Sequence, residues 1–316
     1  MSAATATNKP AAPPTHPTYN IKAVIAAALA EDAGNHGDIT TLSTIPESTQ
    51  ASATFLAKAD GVLAGLAVAN LVCEMVDPAL KITWSLQDGD AVQRGVEFGV
   101  VAGSARSILV AERVCLNFMQ RMSGIATATA AMVAAAAGHK AKILDTRKTA
   151  PGLRLLDKWA VALGGGTPHR MGLFDMMMIK DNHIAAAGGI SQAVAAAEAY
   201  IQQHGLDEVQ VEVETSSLDQ VQQVLDVLAS GAAPHVTRVM LDNMTRRDAS
   251  CLGGVDVSLL KQAVAQIAGK VQTEASGNVT LESVAEIASA GVDFISVGAL
   301  THSVKALDIS LNVVTR

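Results

Sequence analysis

Between Lys140 and His183 the chain concentrates cations. Lys140, Lys142, Arg147, Lys148, Arg154, Lys158, Arg170 and Lys180 stand there against four Asp, a net +4. The whole chain has a formal net charge of −7, so everything outside this window carries −11. Arg recognises carboxylate or phosphate through a planar bidentate fork, and Lys adds a compact point charge. Arg147, Lys148, Arg170 and Lys180 fall at or near the ends of short apolar runs, where a small, strongly anionic ligand would bind. Arg154 and Lys158, four apart on an expected helix, read instead as a solvated helix face.

Other polar groups recur at equivalent places. Glu212 and Asp242 end successive apolar runs. Beside a polyanion they need a divalent cation or ribose hydroxyls between them, or else they hold the basic residues in place. Ser276-Gly277-Asn278 and Gly298-Ala299 follow the last two runs, where backbone N–H groups can cradle a phosphate. Gly164-Gly165-Gly166 fits a phosphate loop or close backbone packing equally well. No GxxxxGK[ST] and no helix-opening GxGxxG occurs, which removes the common nucleotide motifs, and no GxSxG supplies a hydrolase elbow. Lys180 could form a Schiff base, but with so many cations nearby anion binding explains it more economically.

The elements that must position these residues are legible. Lys142–Asp145, Met176–Ile179, Val209–Val213, Val239–Leu241, Val271–Thr273 and Phe294–Val297 are short apolar runs, each followed by a turn and a helical pattern. That alternation marks βα units on a parallel sheet, and the polar strand ends mark the mouth of an α/β barrel. A short extra strand around Gly164–Gly166 and His169 would add a seventh. Upstream, strand-like Ala53–Ala59, Lys81–Leu86 and Val96–Ala102 alternate with helical Ile21–Leu29, Gly65–Met75 and Ser107–Met122, a small α+β unit. Met122–His139 is uncharged but rich in Ala, Thr and Ser, so it reads as a buried helix rather than a membrane span.

Composition sets the outer bounds. At 316 residues with 49% hydrophobic content the chain has enough apolar mass for two domains. Aromatics are only 3%, which suits helices packed on a parallel sheet and disfavours a base-stacking platform. The acidic balance argues against nucleic acid and anionic membrane as partners. Cys73, Cys115 and Cys251 are odd in number and widely spaced, so neither a disulfide framework nor a zinc site is expected, and a reducing cytoplasm is the default location. Residues 1–18, rich in Ala, Thr and Pro, lack the features of a signal or transit peptide and read as a disordered tail.

Taken together, Glu112-Arg113-Val-Cys-Leu-Asn117, Ser123-Gly-Ile-Ala-Thr127, Asp145-Thr-Arg-Lys-Thr-Ala-Pro-Gly152, Pro168-His-Arg170, Ile179-Lys-Asp-Asn-His183, Val211-Glu-Val-Glu214, Leu241-Asp-Asn243, Glu274-Ala-Ser-Gly277 and Val297-Gly-Ala-Leu-Thr-His-Ser303 resemble the quinolinate phosphoribosyltransferase family, collinearly from Ile21 to Leu311. The resemblance implies an N-terminal α/β sandwich, residues 19–122 and 303–316, and an incomplete seven-stranded α/β barrel, residues 123–302. It implies at least a homodimer, with Arg113 reaching into the neighbouring subunit's site. Arg147, His169, Arg170 and Lys180 would hold the quinolinate carboxylates, with Thr146 alongside and Lys148 close to the reacting groups. Glu212 and Asp242 would face the ribose hydroxyls of phosphoribosyl pyrophosphate and Mg²⁺, directly or through water. Ser276, Gly277, Asn278, Val297, Gly298 and Ala299 would take its 5-phosphate. Lys148, Lys180, Glu212 and Asp242 would be the catalytic set.

Two positions depart from the family pattern: Pro168 before the His-Arg pair, and Asn278 where a second glycine is common. The implied reaction joins quinolinate to phosphoribosyl pyrophosphate and releases pyrophosphate and CO₂, giving nicotinate mononucleotide for NAD biosynthesis. The alternatives are a nicotinate phosphoribosyltransferase without decarboxylation and a catalytically silent anion-binding barrel.

Overall fold

The computed structural model describes residues 11–315. They form two compact units, one running to Ala130 and taking in Thr149–Gly165 and Ala299 onward, the other comprising Ala131–Lys148 and Gly166–Gly298.

The first unit is built on an antiparallel sheet. Helices α1 (Ile21–Ala33) and α2 (Ile39–Thr44) precede strand β1 (Gln50–Ala57). Asn20 caps α1 by accepting the Ala23 N–H, and Gly34 ends it at φ 53°. The short β2 (Gly61–Val62), helix α3 (Leu66–Val76), β3 (Lys81–Trp84), the short β4 (Ala91–Val92) and β5 (Glu97–Ser104) follow. In β1, Ala51, Ala53, Phe55 and Ala57 are buried in strict alternation, the period of a strand with one face on the core. β1 pairs with β5 on one side and with the C-terminal strand Ile309–Thr315 on the other, so the chain end returns to the unit it began in. Phe55, Trp84 and Phe98 form its aromatic core.

The two helices expected at Ser107–Met122 and Met122–His139 are one helix, α4 (Ala105–Ala135), because no Pro interrupts the run and Gly124 is carried within it. Among the described residues no single helix is long and apolar enough to cross a membrane.

Helix α5 (Arg154–Leu163) also belongs to the first unit and corrects an expectation. Lys158 is not on a solvated face but fully buried, and Arg154 donates through Nε to Thr149 Oγ1 at 2.9 Å. Leu155–Val161 is buried without a gap, so the helix has no solvent side over that span for a lysine to occupy. Gly164, at its C-terminus, packs closely: a Cβ there would lie 2.4 Å from the Ala126 carbonyl oxygen, which favours the packing reading of the triple glycine. Residues 11–18 have no regular secondary structure but are tethered, since Trp159 Nε1 donates to the Ala11 carbonyl at 2.6 Å. The rest of the expected disordered tail, residues 1–10, lies outside the described residues.

The second unit is a parallel sheet with helical crossovers. In chain order it contains β6 (Lys142–Leu144), β7 (Met177–Ile179), α6 (Asp181–Ala187), α7 (Ile190–His204), β8 (Val211–Thr215), α8 (Leu218–Ala229), β9 (Val236–Asp242), the hairpin pair β10 (Arg246–Arg247) and β11 (Val255–Asp256), α9 (Ser258–Ile267), β12 (Gln272–Ser276), α10 (Val284–Ser289) and β13 (Phe294–Ser296). The strand order is β6-β13-β12-β9-β8-β7, all parallel. The seventh strand expected near Gly164–His169 is reduced to one parallel bridge between Leu144 and Thr167. Pro168 follows immediately and has no N–H to extend a ladder. The result is an α/β barrel left incomplete.

Candidate active site

In β8 and its neighbours the strand period of two sends alternate side chains to the same face. Glu212 and Glu214 therefore lie on one side, as two successive layers, and the structure treats them differently. The Glu212 side chain is fully buried, whereas that of Glu214 is 11% exposed.

The outer layer holds Lys180. It is the N-cap of α6, and its backbone N–H donates to His183 Nδ1 at 2.9 Å, so the Ile-Lys-Asp-Asn-His sequence fixes the junction after β7. Its ammonium reaches Glu214 Oε2 at 2.5 Å. Asp242 ends β9, half-buried, and its Oδ2 accepts from Asn243 Nδ2 at 2.6 Å. Arg170 donates through Nη1 to the Met176 carbonyl at 3.1 Å. Burial, then the Arg147 charge, pulls the Arg170 pKa below its usual value. A dianion is the natural counterion for such a pair. The backbone here is set by Asp145, fully buried at the end of β6, which accepts the His169 N–H at 2.7 Å. Lys148 is exposed, and its N–H donates to Thr146 Oγ1 at 3.0 Å.

The inner layer is a buried charge cluster. His169 Nε2 lies 3.2 Å from Glu212 Oε2 and 3.1 Å from Glu274 Oε2, with its side chain only 4% exposed. Arg238 Nη1 donates to Glu274 Oε2 at 3.0 Å and lies 3.9 Å from Glu212 Oε2, while its Cζ sits 4.0 Å above the Phe294 ring. Burial opposes ionisation throughout. It lowers the His169 pKa, but the two carboxylates outweigh it and hold the value at about 9. Burial and the Glu274 charge raise Glu212 to about 7. For Glu274 burial acts upward, and the His169, Ser296 and Arg238 contacts bring it below its ordinary value. His169, Glu212 and Glu274 are close enough to hold a metal ion. Arg238 already sits at that position as the counter-charge, so the cluster reads as an ion-pair network.

The loop after β12 is tightly turned. Gly277 has φ 102°, and a Cβ there would lie 2.2 Å from Asn243 Oδ1. Asn243 donates its N–H to the Ser276 carbonyl at 2.9 Å and accepts at Oδ1 from Asn278 Nδ2 at 3.3 Å. Asn278 takes φ 51°, a left-handed conformation asparagine tolerates, so the departure from glycine costs the loop little. Val297 is less suited to phosphate, because its N–H already donates to the Leu144 carbonyl at 2.9 Å. Gly298 follows it, and Ala299 opens a short helix, Ala299–His302, assigned with the first unit. Arg113 lies exposed on α4, also in the first unit.

Thus Arg147, His169, Arg170, Lys180, Glu212, Asp242, Ser276, Gly277 and Asn278 all fall in the barrel unit. Asp145, Glu214 and Glu274 stand in the quoted motifs without a site role of their own, and Arg238 stands in none of them. The available signal was the lone Arg238 inside an apolar strand and the same-face spacing of Glu212 and Glu214.

Comparison with known proteins points one way. The family model for the quinolinate phosphoribosyl transferase C-terminal domain matches residues 125–312, and that for the N-terminal domain matches residues 38–123. A chloroplastic nicotinate-nucleotide pyrophosphorylase [carboxylating] of Arabidopsis thaliana is 60% identical over 303 residues, covering 96% of this chain and 85% of its own. One from Mycobacterium leprae is 40% identical over 291 residues, covering 92% and 95%. The crystal structure of NadC from Streptococcus pyogenes superposes with a TM-score of 0.83 at 38% identity, covering 94% of this chain and 97% of its own.

Proposed function

The chain belongs to the quinolinate phosphoribosyltransferase family, and on that premise we propose how its residues carry the reaction. The activity is that of a decarboxylating quinolinate phosphoribosyltransferase in NAD biosynthesis, a pentosyl transfer. The observation that carries the residue assignments is the cationic edge of the barrel unit: Arg147 and Arg170, whose charges act on each other, and Lys180 at the junction after β7.

Quinolinate brings two carboxylates to Arg147, Arg170 and Lys180, with Lys148 and Thr146 on the same loop. Its ring nitrogen attacks ribose C1 of phosphoribosyl pyrophosphate; the C1–O bond breaks and pyrophosphate leaves with the electron pair. The positive charge that develops on the ribose is oxocarbenium-like, so bringing the partners together in line is the main task of the site. The ring is then a pyridinium. Its 2-carboxylate departs as CO₂, the electron pair stays on the ring carbon next to the charged nitrogen, and a proton from solvent completes nicotinate mononucleotide. No covalent enzyme intermediate is needed.

Asp242 and Glu214 suit the ribose hydroxyls and Mg²⁺ better than Asp242 and Glu212, because the Glu212 carboxylate is buried beneath them against His169. Hard carboxylate oxygens at the rim match a Mg²⁺ donor set. When bound, Mg²⁺ supplies charge neutralisation for the pyrophosphate. Ser276, Gly277, Asn278 and Gly298 receive the 5-phosphate through backbone N–H groups, with Ala299 alongside. The assembly is a homodimer or larger, to which the exposed Arg113 contributes across the interface.

The cytoplasmic location is likewise a proposal. Plant relatives are named chloroplastic or mitochondrial, and imaging a tagged full-length chain decides between these compartments. For the activity, the purified protein is incubated with phosphoribosyl pyrophosphate, Mg²⁺ and either quinolinate, nicotinate or neither. Pyrophosphate release with quinolinate alone supports the reading; release with nicotinate instead, or none at all, overturns it.

A further inference from the structure

The inner layer of the barrel contains charges where α/β barrels usually pack branched aliphatics. Glu212 and Glu274 are wholly buried, and the Arg238 side chain is 12% exposed. None of these groups presents a carboxylate or guanidinium to the rim, so none is placed to touch a substrate. We propose that Glu274 and Arg238 are positioning residues for the transfer reaction, acting through His169 on the segment that carries Arg170; this rests on the quinolinate reading above.

His169 links the two layers. Its Nε2 faces both carboxylates, and its Nδ1 lies 2.6 Å from the Arg170 backbone nitrogen. With both ring nitrogens turned to the protein, the imidazole acts as a peg for the Pro168-His169-Arg170 backbone. Asp145 pins the same segment from its other side through the His169 N–H at 2.7 Å. The Arg170 guanidinium is thereby aimed from a backbone held twice.

The anchor of the peg lies in the strands. Glu212 on β8 and Arg238 on β9 are register partners, and Glu274 on β12 is the register partner of Phe294 on β13. Arg238 spans this row, bonded to Glu274 at 3.0 Å and resting on the Phe294 ring. Four neighbouring strands therefore fix one imidazole. A buried carboxylate is tolerated only with its partners in place, and removing one partner leaves an uncompensated charge. The cluster holds one geometry because every alternative strands a charge.

The test separates positioning from mere support. Glu274→Gln, Arg238→Met and the double variant carrying both are purified, and melting temperature, quinolinate affinity by calorimetry, KM for each substrate and kcat are measured. Each single variant is expected to melt lower and to raise the quinolinate KM about tenfold, equivalent to 1.4 kcal/mol, with the phosphoribosyl pyrophosphate KM much less affected. The double variant leaves neither a buried carboxylate nor a guanidinium unmatched at this pair. It is expected to regain most of the melting temperature yet keep the raised quinolinate KM. Recovery of that KM in step with the melting temperature, or a wild-type KM in either single variant, overturns the proposal. Should a single variant not fold, the double variant and Glu274→Asp carry the same readout. Wild-type protein that fails to bind quinolinate would instead remove the activity itself, an outcome distinct from failure of the positioning role.

Discussion

The Lys180 ammonium, at the junction that follows β7, and the Glu214 carboxylate, on the adjacent parallel strand β8, meet at 2.5 Å with the lysine side chain 42% exposed. One rim carboxylate thus occupies part of a cation that the proposed function assigns to a substrate carboxylate. Charge-assisted contacts of this kind contribute about 1.5–3 kcal/mol each, so the pair both aims the lysine and sets a competition.

Glu214→Gln and Lys180→Ala should therefore act in opposite senses on quinolinate. Glu214→Gln releases the ammonium and is expected to tighten quinolinate binding severalfold, while raising the KM for phosphoribosyl pyrophosphate. Lys180→Ala, and Arg147→Ala likewise, should weaken quinolinate binding roughly ten- to a hundredfold and remove most activity in a folded protein. Calorimetry with circular dichroism checks both; near-wild-type turnover by Lys180→Ala or Arg147→Ala would remove them from the substrate site.

Gly277→Ala should damage phosphate binding selectively. The glycine has φ 102°, and its new Cβ would lie 2.2 Å from Asn243 Oδ1, so the loop must move. A left-handed conformation alone makes a non-glycine residue cost about 1 kcal/mol or more. The expected result is a raised KM for phosphoribosyl pyrophosphate with quinolinate affinity unchanged, read from steady-state kinetics and calorimetry.

Asp157→Asn should lower stability rather than recognition. The fully buried carboxylate takes a bidentate pair from Arg121, at 2.8 and 2.7 Å, and the Ala150 N–H at 3.0 Å. Breaking such a pair from one side typically costs about 3–5 kcal/mol, and urea unfolding measures it. A loss below roughly 1 kcal/mol, the scale of an exposed pair, would contradict this.

Tyr19 reports on the tether near the N-terminus. Its hydroxyl donates to the Gly152 carbonyl at 2.7 Å, and burial with the Asp157 charge pushes its pKa up to about 12 from 10.0. A raised value in the folded state favours folding below pH 10.0, and that contribution fades as pH climbs towards about 12. Ultraviolet difference titration of wild type against Tyr19→Phe should show this residue still mostly un-ionised at pH 11 while the protein remains folded. Ionisation near pH 10 would contradict the tether.

Much of this was legible in the residues, and the exceptions share a cause. Each barrel strand was marked by its apolar run, and Lys180, Arg147 and Arg170 by their charge and position. Period-two patterning places Glu212 and Glu214 on one face, but it does not say which is the deeper layer. That depends on strand register and on His169 arriving from a separate loop, a long-range fact. Lys158 misled for the same reason: four-residue spacing from Arg154 describes a helix face, while burial depends on what packs against it. Arg238 was hidden by its apolar neighbours, since a charge inside a strand is informative only once its partners on adjacent strands are known.

The most direct measurement is the yield of labelled CO₂ per pyrophosphate, using quinolinate labelled in its 2-carboxyl group with phosphoribosyl pyrophosphate and Mg²⁺. The account predicts one labelled CO₂ for each pyrophosphate, both abolished together in Arg147→Ala. Pyrophosphate formed without labelled CO₂, or neither product from a folded wild-type protein, would contradict it.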